Sequence, residues 1–131
     1  MLEGQERSNL MKIIFRQAKT KDLKLIKRLI SRYPRQLLQH ALPKLSDFFV
    51  AAYEGQIIGC CALEIYSKKL AEGRSLAVEK KFQHGGVATR LVKLCLARAR
   101  RKKIYEVLTI TGIPQLFTRL GFRPFKKQKY A

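Results

Sequence analysis

The segment from Leu76 to Ala88 (LAVEKKFQHGGVA) constrains this chain most, because an apolar run leads through a loop with two adjacent glycines into a helical pattern. The helix predicted over Val87 to Lys103 has its apolar residues on one face. The first amides of a helix have no partner within it and lie at the positive end of its dipole, so they bind phosphate oxygens. Without a Cβ, Gly86 lets the backbone approach a diphosphate closely. The segment predicts a phosphate-binding strand–loop–helix unit.

The spacing of this loop excludes two other phosphate-binding motifs. The chain has no GxxxxGK[ST] sequence, and Gln83, Gly86 and Ala88 do not match GxGxxG. Many strand–Gly–Gly–helix turns bind nothing. On this segment alone, a purely structural turn therefore stays open as the alternative.

The rest of the chain predicts one α/β domain with a mixed sheet and one clear crossover unit. Its 131 residues suffice for one core, and 47% of them are hydrophobic, which excludes wholesale disorder. The predicted strands are 12–17, 48–53, 56–66, 74–78, 105–111 and a last one from 122 onward. The predicted helices are one that begins at 20–22 and ends at Pro34, one over about 35–41, the helix 87–103, and a short one from Pro114 to Gly121.

Residues 1–11 are predicted to be a flexible polar leader, because they contain charges and no apolar stretch typical of a secretory signal. No apolar run approaches the ~18–20 residues of a membrane span. The three cysteines Cys60, Cys61 and Cys95 lie in apolar surroundings without CxxC spacing. We expect them to be core residues of a protein in the reducing cytoplasm, not disulfide partners or zinc ligands.

The charge balance favours anionic ligands or partners. Lysine plus arginine is 28 against 9 acidic residues, a net charge of +19. One alternative is therefore a basic nucleic-acid-binding module, which is expected to expose aromatic side chains among its cations. Most aromatic residues here lie in core-like patterns instead, which argues against nucleic acid as a partner. These residues are Phe48, Phe49, Tyr105, Phe117 and Phe122.

The hexapeptide Gln83 to Ala88 (QHGGVA) resembles the Q/R-x-x-G-x-G/A signature of the GNAT superfamily of acyl-CoA-dependent N-acetyltransferases. The likeness extends over roughly 13–123 and includes LAV at 76–78, the FVA and IIG of the first hairpin, and LGF at 120–122. It implies an α/β fold of GNAT type, with a mixed, mostly antiparallel central sheet flanked by helices. It also implies a splayed strand pair for acyl-CoA, all within a single domain over 12–131.

The resemblance implies that acetyl-CoA binds between the strand ending at Val78 and the strand 105–111, with no metal involved. The backbone of Leu76 and Val78 would bond the pantetheine and the acetyl carbonyl, which makes the amide of Leu76 the oxyanion donor. The Thr89 hydroxyl would be an additional donor to the diphosphate. The implied binding residues are Leu76, Ala77, Val78, Gln83, His84, Gly85, Gly86, Val87, Ala88 and Thr89.

The implied reaction is direct attack of an amine on the thioester. Glu72 lies where some family members place a general base acting through water, and the alternative is a solvated carboxylate at the strand edge. Many relatives carry a tyrosine four or five residues before the glycine of "GF" as the acid for the leaving thiolate. Phe117 and Leu116 occupy those positions here and cannot donate a proton. We therefore expect no single indispensable acid side chain.

Within the superfamily, the best likeness is to the acetyltransferase domain of N-acetylglutamate synthase. It rests on YPRQ at 33–36 and on EGRSLAV at 72–78. It implies amino-acid metabolism and an amine acceptor such as glutamate, held by Arg35 and Arg74 because guanidinium pairs well with carboxylate. The alternatives are that Arg35 is one surface cation among many, and that the fold binds CoA without catalysis.

The resemblance also implies two terminal strands, whereas only nine residues follow Phe122. That length is too short for both strands of the usual domain. We expect the last strand to be incomplete, or to be supplied by another chain, as in a homodimer.

Overall fold

A five-stranded mixed sheet organises the chain, and its strands are arranged in sequence order. The computed structural model describes residues 12–33 and 42–124. The pairs β1–β2, β2–β3 and β3–β4 are antiparallel, whereas β4 and β5 are parallel. The elements are β1 (Ile14–Gln17), α1 (Leu23–Ser31), β2 (Phe48–Tyr53), β3 (Gln56–Ile65), β4 (Leu70–Val78), α2 (Val87–Arg101), β5 (Glu106–Thr109) and α3 (Pro114–Arg119). The predicted α/β fold with one crossover, β4–α2–β5, is confirmed.

Some predicted boundaries were wrong. Strand β4 begins at Leu70, four residues before the predicted start, because Leu70 to Gly73 pair with β5 and Ala71 to Gly73 also pair with β3. Strand β5 is shorter than predicted and ends at Thr109. The strand predicted from Phe122 is not formed over 122–124. The predicted helix 35–41, the leader 1–11 and residues 125–131 lie outside the described residues.

Each face of the sheet has its own buried cluster. Helix α2 covers one face, where Ile58, Leu63 and Leu91 are fully buried, and helix α1 covers the other, where Phe48 and Val50 are. Cys60, Cys61 and Cys95 are buried free thiols, as expected of core residues. Burial raises the pKa of the Cys60 thiol to about 12. In the part of the chain that the structure describes, no helix is long and apolar enough to cross a membrane.

Gly59 of β3 determines how closely α2 lies on the sheet. A Cβ built there would be 3.1 Å from Leu91 Cδ1 and 3.1 Å from Val87 Cγ1. Both side chains are buried, so neither moves away easily. Since Val87 is the first residue of α2 and Gly59 pairs with Val78 at the end of β4, this contact also positions the loop between them.

We predict that Gly59→Ala destabilises the fold by about 1–3 kcal/mol, because the added methyl group overpacks the contact between α2 and the sheet. Denaturant unfolding measures the change. Gly73→Ala is the matched control, since its Cβ would meet its nearest atom, the Leu108 carbonyl oxygen, at an ordinary 3.9 Å. Equal stability of the two variants would contradict the packing argument.

Candidate active site

A β-bulge interrupts the pairing of β3 with β4. Cys60 is opposite Ala77 and Ala62 is opposite Arg74, so β4 contains one more residue than β3 between these pairs. Ser75, within the bulge, has φ +57, a left-handed conformation that side chains other than glycine rarely adopt. The bulge bends β4 and increases its twist from this point onward.

Strands β4 and β5 separate just where the bulge begins. Their parallel pairing runs from Leu70 and Glu106 to Gly73 and Thr109 and does not continue. Beyond it, β5 has ended, whereas β4 continues through Leu76 to Val78. The expected splayed strand pair is therefore present, and the segment 76–78 forms one wall of the opening.

The loop 83–86 connects this wall to the start of α2. Gly86 is the N-cap residue with φ +90, and His84 also has a positive φ of 66. A Cβ built on Gly86 would meet no atom within 4 Å. The glycine is therefore needed for its backbone conformation, and the space in front of the first turn of α2 is open to a ligand. Lys80 and Lys81 precede the loop and are exposed.

Hydrogen bonds fix the loop to the end of β4. The Gln83 side-chain amide donates to the Val78 carbonyl oxygen at 2.9 Å and to the Tyr33 hydroxyl oxygen at 3.1 Å. The Tyr33 hydroxyl donates to the same carbonyl at 2.7 Å. The Gln83 side chain is thus bound within the protein, and its backbone N–H donates to the Lys80 carbonyl oxygen at 3.2 Å. This leaves the backbone amides from His84 onward as the expected phosphate donors. Sequence reasoning missed Tyr33, whose partner is 45 residues away.

A second group of polar residues lies further back along β3 and β4, on the face that α1 covers. We call Glu64, Tyr66, Glu72 and Arg74 the polar cluster. Glu64 is opposite Glu72, and Arg74 is opposite Ala62 of the core on that face. The Tyr66 hydroxyl donates a hydrogen bond to Glu72, and Arg74 forms an ion pair with Glu64.

Burial within the polar cluster is uneven. Glu72 and Arg74 are only 6% and 7% exposed, whereas Tyr66 is 48% exposed. Burial and the neighbouring Glu72 carboxylate raise the pKa of Tyr66 to about 12, so the phenol keeps its proton near neutral pH. The alternative of a solvated Glu72 at the strand edge does not fit this geometry. Glu72 is hydrogen-bonded to the half-exposed Tyr66, a partner that sequence reasoning missed.

The other predicted site residues are not assembled into one place. Arg35 lies outside the described residues. Arg74 is already bound to Glu64, so an incoming carboxylate would share the guanidinium with that side chain. Phe117 and Leu116 are buried, and Phe117 packs edge-on against Phe122 with ring centroids 5.2 Å apart. Among the described residues, no cluster of three or more potential metal ligands occurs.

Comparison with known proteins identifies this arrangement. The family model of the GNAT acetyltransferase domain matches residues 44–124. An uncharacterized N-acetyltransferase of Chlorobaculum tepidum is 34% identical over 121 residues, which cover 88% of this chain and 78% of that protein. An amino-acid acetyltransferase of Mycobacterium tuberculosis is 31% identical over 117 residues, which cover 83% and 67%.

Two solved structures give the same result. Rv2747 from Mycobacterium tuberculosis, in complex with CoA and NLQ, superposes with a TM-score of 0.79 at 26% identity, over 90% of this chain and 76% of that one. N-acetylglutamate synthase from Neisseria gonorrhoeae, complexed with coenzyme A and N-acetyl-glutamate, gives 0.73 at 27% identity, over 82% and 27%. The chain therefore belongs to the GNAT acetyltransferase family and is an acetyl-CoA-dependent N-acetyltransferase.

We predict that Gly86→Val weakens acetyl-CoA binding by ~10-fold or more, equivalent to about 1.4 kcal/mol. The valine side chain would occupy the open space before α2 and strain a backbone at φ +90. Isothermal titration calorimetry measures the affinity, and thermal melting measures the fold.

Gly55→Val is the matched control, because Gly55 also has a positive φ, +77, and no atom within 4 Å of its Cβ position, but lies in the β2–β3 turn. It should lose stability to a similar extent and keep its affinity. Unchanged affinity in a folded Gly86→Val protein would remove the loop from the binding site.

Proposed function

We propose that this acetyltransferase acetylates the amine of a small amino acid, with glutamate as the leading candidate. The observation that carries the proposal is the pair Glu72 and Arg74, two residues apart on one face of β4. In an amino acid the amine and the carboxylate share one carbon, so a carboxylate bound by Arg74 would bring the amine toward Glu72 and Tyr66 on the same face. Arg74 would then share its guanidinium between the acceptor and Glu64. The names of the relatives, which include an amino-acid acetyltransferase and N-acetylglutamate synthase, support the same class of acceptor.

The opening between β4 and β5 fits the acyl donor. In this proposal the amides of 84–88 and the Thr89 hydroxyl hold the diphosphate at the start of α2. The backbone of 76–78 lines the path of the pantetheine, and the amide of Leu76 stabilises the negative charge that develops on the acetyl oxygen. When bound, acetyl-CoA supplies an activated acyl group with a thiolate as the leaving group.

The amine must be neutral to attack, and the Glu72–Tyr66 pair removes its proton in this proposal. The attacking amine gives a proton through ordered waters to the Tyr66 hydroxyl, while Tyr66 passes its own proton to Glu72. Because Leu76 lies four residues along β4 from Glu72, about 13 Å of strand separates them. The path between the amine at the thioester and this pair therefore needs more than one water.

The leaving thiolate has no tyrosine at the expected positions, since Phe117 and Leu116 are apolar and buried. We propose that water protonates it. An alkyl thiol has a pKa near that of free cysteine, ~8.5, so its thiolate is a stable leaving group near neutral pH. No dedicated acid is required.

The acceptor class is tested by measuring thiol release from acetyl-CoA against a panel of L-amino acids, simple amines without a carboxylate, and acidic dipeptides. We predict turnover with amino acids, glutamate best. We also predict a loss of at least 10-fold in kcat/KM for amines that lack the carboxylate. Faster turnover with plain amines than with every amino acid would contradict the proposed acceptor and leave the acetyltransferase family assignment unaffected.

For the proton path, we predict that Glu72→Gln lowers the rate near neutral pH by ~10²–10⁴-fold, the usual contribution of a general base. The deficit should shrink as the pH rises, because the acceptor amine then loses its proton without assistance. Tyr66→Phe should also slow the reaction, and combining it with Glu72→Gln should cost little more than Glu72→Gln alone.

The measurement is the pH dependence of kcat/KM with the best acceptor from the panel. Glu54→Gln is the control, since it removes an exposed carboxylate in the β2–β3 turn and should leave the profile unchanged. A Glu72→Gln profile parallel to that of the parent enzyme at every pH would remove Glu72 from the role of base.

A further inference from the structure

The stretch between Glu79 and Glu106 has an extreme charge, with nine lysines and arginines and no acidic residue over 80–105. Helix α2 lies within it, and the side chains of Lys93, Arg100 and Arg101 are exposed. The buried residues Leu91, Cys95 and Ala99 point the opposite way, into the core. Among the described residues, none forms an ion pair with Lys93, Arg100 or Arg101, so the solvent side of this helix presents a row of cations.

The cations continue around the end of the helix. Lys102 and Lys103 are exposed and form the turn after α2. With a rise of 1.5 Å per residue, the row from Lys93 to this turn is about 15 Å long. We call Lys93, Arg100, Arg101, Lys102 and Lys103 the basic face.

The helix end also fixes an aromatic side chain beside these cations. Lys103 adopts φ +59, which brings the Ile104 amide to the Ala99 carbonyl oxygen at 2.9 Å and buries the Ile104 side chain. The next residue, Tyr105, is 76% exposed. The sequence prediction that Tyr105 is a core residue is therefore wrong, because the strand pairing begins only at Glu106.

Tyr105 follows directly on the turn that carries the last cations of the basic face, two residues after Lys103. The nearest carboxylate in sequence, Glu106, is the first residue of β5. The exposed phenol ring is therefore within two residues of the end of the basic face.

A shallow groove completes this surface. It has a volume of about 330 Å³, between α2 and the end of α3. Lys93 and Arg100 line it together with the apolar residues Leu96, Ala97 and Leu120. A nucleotide lying in this groove would place its phosphate against the two cations.

We propose that the basic face and Tyr105 bind single-stranded nucleic acid. Proteins that bind single strands combine a row of cations along the backbone with aromatic side chains on which bases stack, and both are present here. A row of 15 Å accommodates about three successive phosphates. An anionic membrane surface would attract the cations of α1 equally and would not require the stacking platform. This inference is independent of the proposed acceptor.

The test uses the full chain and a fluorescein-labelled poly(U) strand of about 12 nucleotides. Fluorescence anisotropy measures its binding at salt concentrations from about 50 to about 200 mM, a range that includes the physiological concentration. Lys93→Gln, Arg100→Gln and Arg101→Gln together should weaken binding at least 10-fold. They should also make the salt dependence shallower by about 2, at roughly 0.7 per phosphate contact. Lys24→Gln, Lys27→Gln and Arg28→Gln on α1 remove the same number of exposed charges and should weaken binding less than 3-fold, or about 0.7 kcal/mol.

Substitutions of Tyr105 separate the contribution of base stacking to binding from the contribution of charge. Tyr105→Ala should weaken binding by about 5-fold or more with no change in the salt dependence, and Tyr105→Phe should restore the parent affinity. Thermal melting confirms that each variant is folded.

Three results would overturn the proposal. The first is equal weakening by the α1 and α2 triple variants, which would mean that only the overall charge matters. The second is displacement of the oligonucleotide by stoichiometric CoA, which would place it in the cofactor site. The third is binding to vesicles that contain about 30% phosphatidylserine, a mimic of an anionic membrane, without binding to the oligonucleotide.

Discussion

The extra residue in β4 at Ser75 is the constraint on which the rest of the site depends. Without it, β4 would pair evenly with β3, and the segment 76–78 would continue in line with the strand beside β5. A left-handed serine costs on the order of 1–3 kcal/mol and persists only where its surroundings hold it. Ser75 is buried, its carbonyl oxygen accepts a weak hydrogen bond from the Cys60 thiol at 3.4 Å, and paired strand flanks it on both sides. These contacts therefore hold the bulge in place beside the opening.

The sequence predicted the parts of the site that depend on local chemistry. Gln83 to Ala88 is a contiguous turn and helix start, and its conformation follows from glycine and from the missing amide partners of a first turn. The order of the strands followed from alternating apolar runs. The bulge was not predicted, because a one-residue change of register leaves no mark in a run such as RSLAV.

The residues that sequence reasoning missed or misplaced are tyrosines whose environments depend on partners distant in sequence or on where a strand begins. Tyr33 contacts Val78, and Tyr66 reaches Glu72 across a strand connection. Tyr105 follows a helix cap that exposes it, although the run YEVLTIT is typical of a buried strand. A tyrosine side chain can pack in a core, form a hydrogen bond or stack on a ligand. Which of these roles a given tyrosine has depends on the register of the neighbouring strands, which the sequence does not show.

The fold separates three kinds of chemistry by the side of the sheet they occupy. The polar cluster lies on the face that α1 covers, the basic face lies on the solvent side of α2, and the opening lies where the pairing of β4 with β5 ends. In the proposed reaction, an acyl donor bound at the start of α2 reaches through this opening to an acceptor on the α1 side. The central claim is that this opening and the loop 83–86 form the acetyl-CoA site.

Amide hydrogen exchange with and without saturating CoA tests that claim most directly, because the proposed contacts are backbone amides. We predict that exchange slows at least ~10-fold for the amides of 84–88 and for the segment 76–78, since a ligand that bonds these amides suppresses their local opening. The turn at Glu54 and Gly55 should exchange at its original rate. Unchanged exchange at 84–88 with CoA bound, or protection confined to other elements, would contradict the account.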